Sequence, residues 1–226
     1  MLVSHRKQFI FIKSAKTAGT SVEEYFERWC LPEGDYEPSH LRPAEITPHG
    51  VVGARHKKFH ATANGYISHL SAEGIREKIG DEIWNRYFKF TCIRNPYDKV
   101  VSWFHMRMPK ADRDKLAEQD FSRTRDMFRN WLVIFPATPN DEVYTSIRGE
   151  IVVDGLIRYE TLMEDLEAVC LRVSAPFDPD RMPQRKVGKR DGFPGYREYY
   201  TPETKQIIQD RFAWEFDRFH YDPDDV

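Results

Sequence analysis

The stretch "KSAKTAGTS", residues 13–21, combines residue types that bind anions. Lys13 and Lys16 supply positive charge, and Gly19 allows the backbone to come close to a ligand. The other side chains are small or carry a hydroxyl group that can donate a hydrogen bond. These are Ser14, Ala15, Thr17, Ala18, Thr20 and Ser21. This composition predicts a loop that holds a phosphate group.

The order of these residues differs from the loop of common nucleoside triphosphatases. Their pattern, G-x-x-x-x-G-K-[ST], places the lysine after the second glycine. In this chain Lys16 precedes Gly19, within K-T-A-G-T-S. On this stretch alone two alternatives stay level: a phosphate loop, and a plain turn in which Thr20 caps the next helix.

A second stretch, "CIRNPYDKVVSWF", places Ser102 eight residues after Arg94. Arginine does not ligate metals, but it binds phosphate through a rigid pair of donors. A magnesium-dependent phosphotransferase would instead need an acidic residue at such a position to hold the metal. An ion pair between Arg94 and a surface carboxylate is the alternative. Together the two stretches predict a ligand with two separated phosphate groups, and no metal.

The sequence predicts that each of the two stretches follows a strand and leads into a helix. Phe9–Ile12 is a continuous apolar run, typical of a strand buried on both faces, and residues 87–93 alternate as a strand does. After the first loop, apolar residues recur at helical spacing. Asn95 and Pro96 suit the start of the second helix. Ligands of parallel sheets bind beyond the carboxyl ends of the strands, where both stretches lie.

The rest of the chain continues this alternation. Ser71 can cap a helix whose buried face carries Ile75, Ile79 and Ile83. Further helices are predicted near residues 122–135, after an extended stretch within 151–173, and from Thr201. The sequence therefore predicts an α/β fold, with a central, mainly parallel sheet flanked by helices.

Length and composition limit the class of protein. A chain of 226 residues with 40% hydrophobic residues fits a single globular domain over residues 1–226. A net charge of -2 excludes a global field that would attract nucleic acid or an anionic membrane. The three cysteines Cys30, Cys92 and Cys170 indicate reduced thiols rather than a disulfide framework, and no run reaches membrane-spanning length. A cytoplasmic location is expected.

The chain resembles the sulfotransferases that use 3′-phosphoadenosine 5′-phosphosulfate (PAPS). "KSAKTAGTS" resembles their 5′-phosphosulfate-binding loop, and "CIRNPYDKVVSWF" resembles their 3′-phosphate-binding strand and helix. "GLIRYETLMEDL" is similar to a third stretch of the family, and "WEFDRFHYD" to the tail of its carbohydrate branch. One departure is Ala15, where the family often has proline. The resemblance implies the sulfotransferase fold, with its P-loop-like central sheet.

The resemblance also implies roles for these residues. Lys16 would hold the bridging oxygen and the 5′-phosphate and would stabilise charge on the leaving group. Thr17, Ala18, Gly19, Thr20 and Ser21, together with Lys13, would cradle the 5′-phosphate. Arg94 and Ser102 would bind the 3′-phosphate. The implied donor is PAPS, the product is 3′,5′-ADP (PAP), and the acceptor is a hydroxyl group of a carbohydrate or another small molecule.

An acceptor hydroxyl requires a general base, and histidine is the usual candidate near neutral pH. "RHKKFHATANGYISHL" offers His56, His60 and His69 between the two phosphate stretches. Members of the carbohydrate branch similarly place a basic histidine in this interval, and "HATA" is the best match. This resemblance favours His60, with His56 second. A structural role of His60 near the next helix is the alternative, and no third ligand supports a zinc site.

A basic loop, "QRKVGKRDGFPGY", lies where related enzymes close over the nucleotide. It adds Arg185, Lys186 and Gly188 to the predicted nucleotide-binding residues, although charge runs are more often solvated. Two other functions remain open. One is a nucleotide or small-molecule kinase, suggested by the strand–loop–helix unit. The other is a PAP-binding protein without catalytic activity.

Overall fold

The computed structural model describes residues 1–34, 36–37, 39, 41–135, 140–183, 185, 188 and 190–226. These residues form two compact units, each assembled from two separate stretches of the chain. Unit 1 contains residues 1–93 and 141–185, and unit 2 contains residues 94–140 and 186–226. A single domain over residues 1–226 stays a prediction.

Unit 1 contains the β-strands of the described chain. They are β1 (Leu2–Ser4), β2 (Phe9–Ile12), β3 (Glu45–Thr47), β4 (Gly50–Val52), β5 (Phe88–Ile93), β6 (Ser146–Ile147), β7 (Glu150–Ile151) and β8 (Gly155–Arg158). Six of them form one sheet in the order β3-β4-β1-β2-β5-β8, while β6 and β7 form a separate hairpin.

The sheet is mixed. Its parallel part is β2-β5-β8, in which Ile12 is paired with Thr91 and Ile93 with Arg158. This part confirms the predicted parallel strands. The pairs β1-β2, β1-β4 and β3-β4 are antiparallel. Residues 5–8 and residues 48–49 are too short to cross the sheet, so the strands they join can pair only as antiparallel neighbours.

Helices accompany the sheet in unit 1 and make up most of unit 2. Unit 1 has α1 (Gly19–Phe26), α2 (Ala72–Ile79), α3 (Asp81–Arg86), α7 (Glu142–Thr145) and α8 (Leu162–Arg172). Unit 2 has α4 (Pro96–Arg107), α5 (Lys110–Ala117), α6 (Phe121–Ile134), α9 (Pro202–Arg211) and α10 (Ala213–Phe219). Short 3-10 helices cover Glu27–Cys30, Lys57–Thr62, Pro179–Arg181 and Tyr196–Tyr199. The chain therefore has the α/β architecture that its sequence predicts.

The two faces of β2 enter two different hydrophobic clusters. Phe9 and Phe11 pack in one cluster with Phe26 of α1, whereas Ile10 and Ile12 belong to the other. All four side chains are fully buried, as the continuous apolar run predicts. This burial fixes the end of β2, and with it the start of the loop that follows.

The helix predicted from the spacing of three isoleucines is two helices. Ser71 caps α2 by accepting the backbone N–H of Gly74 at 3.1 Å, as predicted. Gly80 then adopts a positive φ of 81° and separates α2 from α3. A left-handed residue cannot continue an α-helix, and glycine adopts this conformation without steric cost.

Unit 2 has a hydrophobic core of its own. Side chains of α4, including Val101 and Phe104, pack in one cluster with Phe128 of α6 and Phe212. Asn95 caps α4 through its side-chain oxygen, which accepts the N–H of Tyr97 at 2.9 Å, and a proline opens the helix. The predicted start of α4 is therefore confirmed.

Candidate functional site

The loop of residues 13–18 joins the end of β2 to α1 and has an unusual backbone. Lys16 (φ 67°) and Ala18 (φ 62°) both adopt the left-handed conformation. Non-glycine residues do so at a cost in energy, so two of them in three residues indicate a constrained loop. Left-handed residues in such loops turn backbone N–H groups towards a concave side that binds anions.

Hydroxyl groups fasten this loop to the neighbouring strand. The hydroxyl oxygens of Ser14 and Thr17 lie 2.7 Å apart, and Ser14 donates to the carbonyl of Cys92 on β5. Thr91, also on β5, donates its hydroxyl to the carbonyl of Ile12 at 2.6 Å. Thr17 is completely buried. Its hydroxyl group therefore supports the shape of the loop.

Gly19 opens α1 at a crowded position. A Cβ atom placed there would lie 3.1 Å from Cγ of Lys13 and 3.3 Å from the carbonyl oxygen of Ser14. Both distances are shorter than ordinary contacts of a Cβ atom. A larger residue would have to push the loop away from the start of the helix.

No side chain in the first turn of α1 neutralises the positive end of its helix dipole. Its N-cap is Ala18, which makes no side-chain capping bond, and its first turn contains no acidic residue. The positive end of the helix dipole, together with the N–H groups of the first turn, therefore favours an anion. Thr20 and Ser21 lie in this turn and are buried.

Arg185 lies against the first turns of α1. Its backbone N–H donates to Oγ of Ser21 at 3.2 Å, and its Nε donates to Oε2 of Glu24 at 2.7 Å. Because Ser21 accepts this bond, its own hydroxyl proton can still be donated to a ligand. Gly188 has a positive φ of 80°. Lys186, the third residue predicted here, lies outside the described residues, as does Lys189.

The two lysines of the loop differ in environment. Lys13 is buried, and its ammonium group lies 2.7 Å from Oε2 of Glu23. Burial raises the pKa of the Glu23 carboxyl, but Lys13, the Met1 amine and Arg55 outweigh burial and hold this pKa well below its usual range. Lys13 is thus part of a buried ion pair, whereas Lys16 is half-buried at the left-handed position.

Of the three candidate histidines, the structure places His69 beside the loop. Its Nδ1 lies 3.1 Å from the backbone oxygen of Lys13, and its ring contacts Tyr144 edge-on. The preceding residue, Ser68, donates its hydroxyl to Oε1 of Glu23 at 3.0 Å. The carboxylate that binds Lys13 therefore also binds the residue before His69.

His69 is among the exposed residues of the chain, although protein atoms surround much of its ring. Burial of its ring, reinforced by the Lys13 ammonium and the Met1 amine, lowers the pKa of His69 to about 3. The imidazole is therefore neutral at pH 7.

His56 and His60 have a different setting. Both are exposed, as His69 is, but His60 lies within the 3-10 helix that begins at Lys57. His56 precedes that helix, where its Nδ1 accepts the backbone N–H of Lys58 at 3.3 Å. Among the described residues, neither side chain is hydrogen-bonded to the loop. The sequence contains one signal in favour of His69, since it stands two residues before the helix cap at Ser71, at the end of a loop.

Arg94, the first residue after β5, is buried in unit 2 and paired with Asp98. Its Nε and Nη2 donate to Oδ2 of Asp98 at 2.8 and 2.6 Å, while Oδ1 accepts Nη1 of Arg190 at 2.5 Å. Two guanidinium groups thus share one carboxylate. Ser102 is half-buried and lies one turn after Asp98, on the same face of α4.

Within the described residues, no group of three histidine, cysteine or acidic residues comes together in a way that could hold a metal ion. No helix of the described chain has the length and apolar character needed to cross a membrane.

Comparisons with known proteins give one family. The model of a family described as "Sulfotransferase family" matches residues 1–146, which include the loop, the three histidines, Arg94 and Ser102. An uncharacterized protein of Archaeoglobus fulgidus is 28% identical over 108 residues, which span 47% of this chain and 83% of that protein. No solved structure gives a significant match.

Proposed function

Because the chain belongs to the sulfotransferase family, we propose that it transfers a sulfuryl group from PAPS to a hydroxyl group of a carbohydrate. The observation that carries this proposal is the loop between β2 and α1. It combines two left-handed residues, hydroxyl bonds to β5 and a helix start without a capping side chain. The resemblance of the C-terminal segment to the carbohydrate branch supports the choice of acceptor.

The loop fits the phosphosulfate end of PAPS. The N–H groups of Gly19 and Thr20 lie at the start of α1, where the helix dipole favours negative charge. Ser21 retains a hydroxyl proton for a phosphate oxygen. Thr17 supports the loop through its contact with Ser14, and Lys13 supports it through its ion pair with Glu23. Ala18 provides the left-handed turn.

PAPS supplies an activated sulfuryl group, and its transfer leaves PAP. We assign to Lys16 the stabilisation of negative charge on the departing phosphate oxygen. A fixed positive charge at the point where charge develops is commonly the largest single contribution to catalysis. A sulfuryl group carries less negative charge than a phosphoryl group, and no metal ion is part of the proposal.

We assign the 3′-phosphate to Arg94 and Ser102. Asp98 holds the Arg94 guanidinium by two bonds to a single oxygen, and it also binds Arg190. The carboxylate orients the two arginines, and guanidinium groups bind phosphate through paired N–H donors. Arg185, which is hydrogen-bonded to Ser21 and Glu24 of α1, belongs to the same proposal as a nucleotide-binding residue, together with Lys186 and Gly188.

We assign the general base to His69, and we keep His60 and His56 as the alternatives that the sequence favours. Only His69, among these three, is hydrogen-bonded to the loop within the described residues. Its lowered pKa keeps the ring neutral at pH 7. Negative charge of a bound donor would raise this pKa again, so the ring can take the proton of the acceptor hydroxyl as the oxygen attacks sulfur.

Nucleotide selectivity tests the proposal. Saturation with PAP at about a hundredfold over its Kd should stabilise the protein by roughly 2.7 kcal/mol, measured as a rise in Tm. 5′-AMP, which lacks the 3′-phosphate, should raise Tm much less. Exchange of Arg94 for glutamine should remove the difference between the two nucleotides. Equal shifts by PAP and 5′-AMP in the parent protein would contradict the 3′-phosphate site.

Transfer itself is measured with labelled PAPS and a panel of sugars in the presence of EDTA. Sulfated sugar should form, because the proposal involves no metal. Transfer of phosphate from magnesium ATP, with no transfer of sulfate, would identify a kinase and overturn the proposal. Binding of PAP without any transfer would indicate the non-catalytic alternative.

A further inference from the structure

Unit 1 contains a cavity of about 640 Å³ at the amino ends of β2 and β5, whereas the loop follows the carboxyl end of β2. Its walls are the turn before β2, the end of α3, the start of β5, and the end of α8. Residues 13–18 follow the other end of β2, whose four residues span roughly 13 Å. The cavity is therefore distinct from the candidate active site. Its size is that of sites for small molecules.

The lining of this cavity is strongly basic. It contains one carboxylate, Asp154, and five cationic side chains. The cations are Arg6, Lys7, Lys89, Arg86 and Arg172. The chain as a whole has a net charge of -2, so this concentration of positive charge is local. Local charge of one sign in a concave site attracts ligands of the opposite sign.

Two of the cations are neutralised by acidic residues. The Lys89 ammonium lies 2.9 Å from Oδ2 of Asp154, and Arg6 is paired with Glu33. The other three cationic side chains of the lining are Lys7, Arg86 and Arg172. The carboxyl ends of α3 and α8 contribute roughly half a negative charge each. About two positive charges are therefore left at this cavity, which matches a ligand with two negative charges.

The lysines and the arginines have different tasks. Lys7 donates to the carbonyl of Ser174, and Lys89 donates to the carbonyl of Tyr87 at 3.0 Å, so both lysines hold helix ends in place. Arg86 and Arg172 are exposed, one at the end of α3 and one at the end of α8.

Arg172 is also held in position by an aromatic ring. Its guanidinium carbon lies 5.0 Å from the centre of the Phe88 ring. Contact with an aromatic face restricts a guanidinium group while its N–H donors stay available at the edge.

We propose that this cavity is a second anion-binding site, which takes a ligand with two phosphate or sulfate groups held by Arg86 and Arg172. Guanidinium groups bind such tetrahedral anions through paired N–H donors. The proposal does not depend on the reaction at the loop, because it uses other residues at the other end of the strands.

The experiment is a titration of the full chain with pyrophosphate and, separately, with a disulfated disaccharide. Binding is monitored through the amide NMR signals of Gln8 and Ser174. These two residues line the cavity, whereas Gly19 and Ser21 report on the loop. Saturable shifts of Gln8 and Ser174 are expected with at least one ligand. The ligand that binds more tightly identifies phosphate or sulfate as the preferred group.

Matched variants distinguish a specific anion-binding site from non-specific electrostatic attraction. Exchange of both Arg86 and Arg172 for glutamine should weaken binding at least tenfold. The same exchange at Arg123 and Arg125, two exposed arginines of α6, removes equal charge elsewhere and should change binding less than twofold. Tm of each variant shows whether it is folded.

Three results would overturn the proposal. They are the absence of saturable shifts at Gln8 and Ser174, equal loss of binding in both double variants, and unchanged binding in the Arg86 and Arg172 variant. The last result would mean that these arginines serve only the ends of their helices.

Discussion

The imidazole Nδ1 of His69 lies 3.1 Å from the backbone oxygen of Lys13, the residue that follows β2. The two residues are 56 positions apart in the chain, yet one carboxylate, Glu23, binds both the Lys13 side chain and the residue before His69. A neutral histidine is thus fixed beside the loop of residues 13–18. This contact underlies our proposal that His69 acts as the base next to a loop that binds the leaving group.

We expect His69→Gln to lower kcat by about 10²- to 10⁴-fold, the usual contribution of a general base. KM for PAPS should change little, because the imidazole is assigned to the acceptor hydroxyl. The matched variants are His60→Gln and His56→Gln, which should keep kcat within about threefold of the parent value. Steady-state rates with labelled PAPS measure all three. If His60→Gln is the variant that loses activity, the base is His60.

The pKa of His69 should depend on the bound nucleotide. In the free protein this pKa is lowered to about 3, and the negative charge of PAP should raise it. NMR titration of the ring protons, with and without PAP, measures the shift. An unchanged His69 pKa in the presence of saturating PAP would place the phosphate groups away from this ring.

We expect Lys16→Met to reduce kcat by about 10²- to 10³-fold, because the side chain is assigned to charge that develops during transfer. Methionine keeps a similar length and removes the charge. Lys58→Met, at an exposed position of the same unit, is the control and should have parental activity. Equal Kd values for PAP in parent and variant would show that the loss concerns transfer. A fully active Lys16→Met protein would refute this role.

Gly19→Ala should disturb the loop. The added methyl group would lie 3.1 Å from Cγ of Lys13 and 3.3 Å from the oxygen of Ser14, and such crowding costs about 1 to 3 kcal/mol. Lower Tm and weaker PAP binding are expected together. Gly195→Ala is the control, because a Cβ atom there meets no atom within 4 Å. If both variants retain parental Tm and PAP affinity, the contact at Gly19 is not restrictive.

Glu23 should make the free energy of unfolding depend on pH in the acidic range. Its pKa in the folded protein lies below the ordinary value of 4.5, so the unfolded chain binds the proton more readily. The stabilising effect is therefore present above about pH 4.5 and declines as the pH falls further. Glu23→Gln should be less stable at pH 7 by about 3 to 5 kcal/mol, because it leaves buried cations without their partner.

Urea unfolding at several pH values measures this effect. Below pH 4.5 the stability of the Glu23→Gln protein should fall less steeply than that of the parent. Glu167→Gln, at an exposed position of α8, is the control and should follow the parent curve. Parallel curves for the parent and the Glu23 variant would show that this carboxyl has an ordinary pKa.

Much of the fold could be predicted because its signals are local. The apolar run Phe9–Ile12 and the helical spacing after it predict β2 and α1, and the caps Ser71 and Asn95 mark the starts of α2 and α4. The antiparallel strand β1 was not predicted, because Leu2–Ser4 is too short to show a period.

The site could be predicted only in part. The lysine, glycine and hydroxyl residues of the loop are contiguous, so their chemistry is visible in the sequence. The position of His69 depends on Ser68 and Glu23, which meet only in the folded chain, and local matching favoured His60 instead. The ion pair between Lys13 and Glu23 forms only in the folded chain. The composition of the loop therefore left Lys13 and Lys16 as alternatives, and the family resemblance alone selected Lys16.

The parallel pairing of β5 with β8 has a consequence for biosynthesis. A ribosome delivers the amino-terminal part first, so β2, the loop and β5 emerge before residues 155–158, which pair with β5. During this interval one edge of β5 has no partner strand and is open to association with other nascent chains. The bond from Arg185 to Ser21 joins residues 164 positions apart, so the first turn of α1 receives this neighbour only after residue 185 has been synthesised.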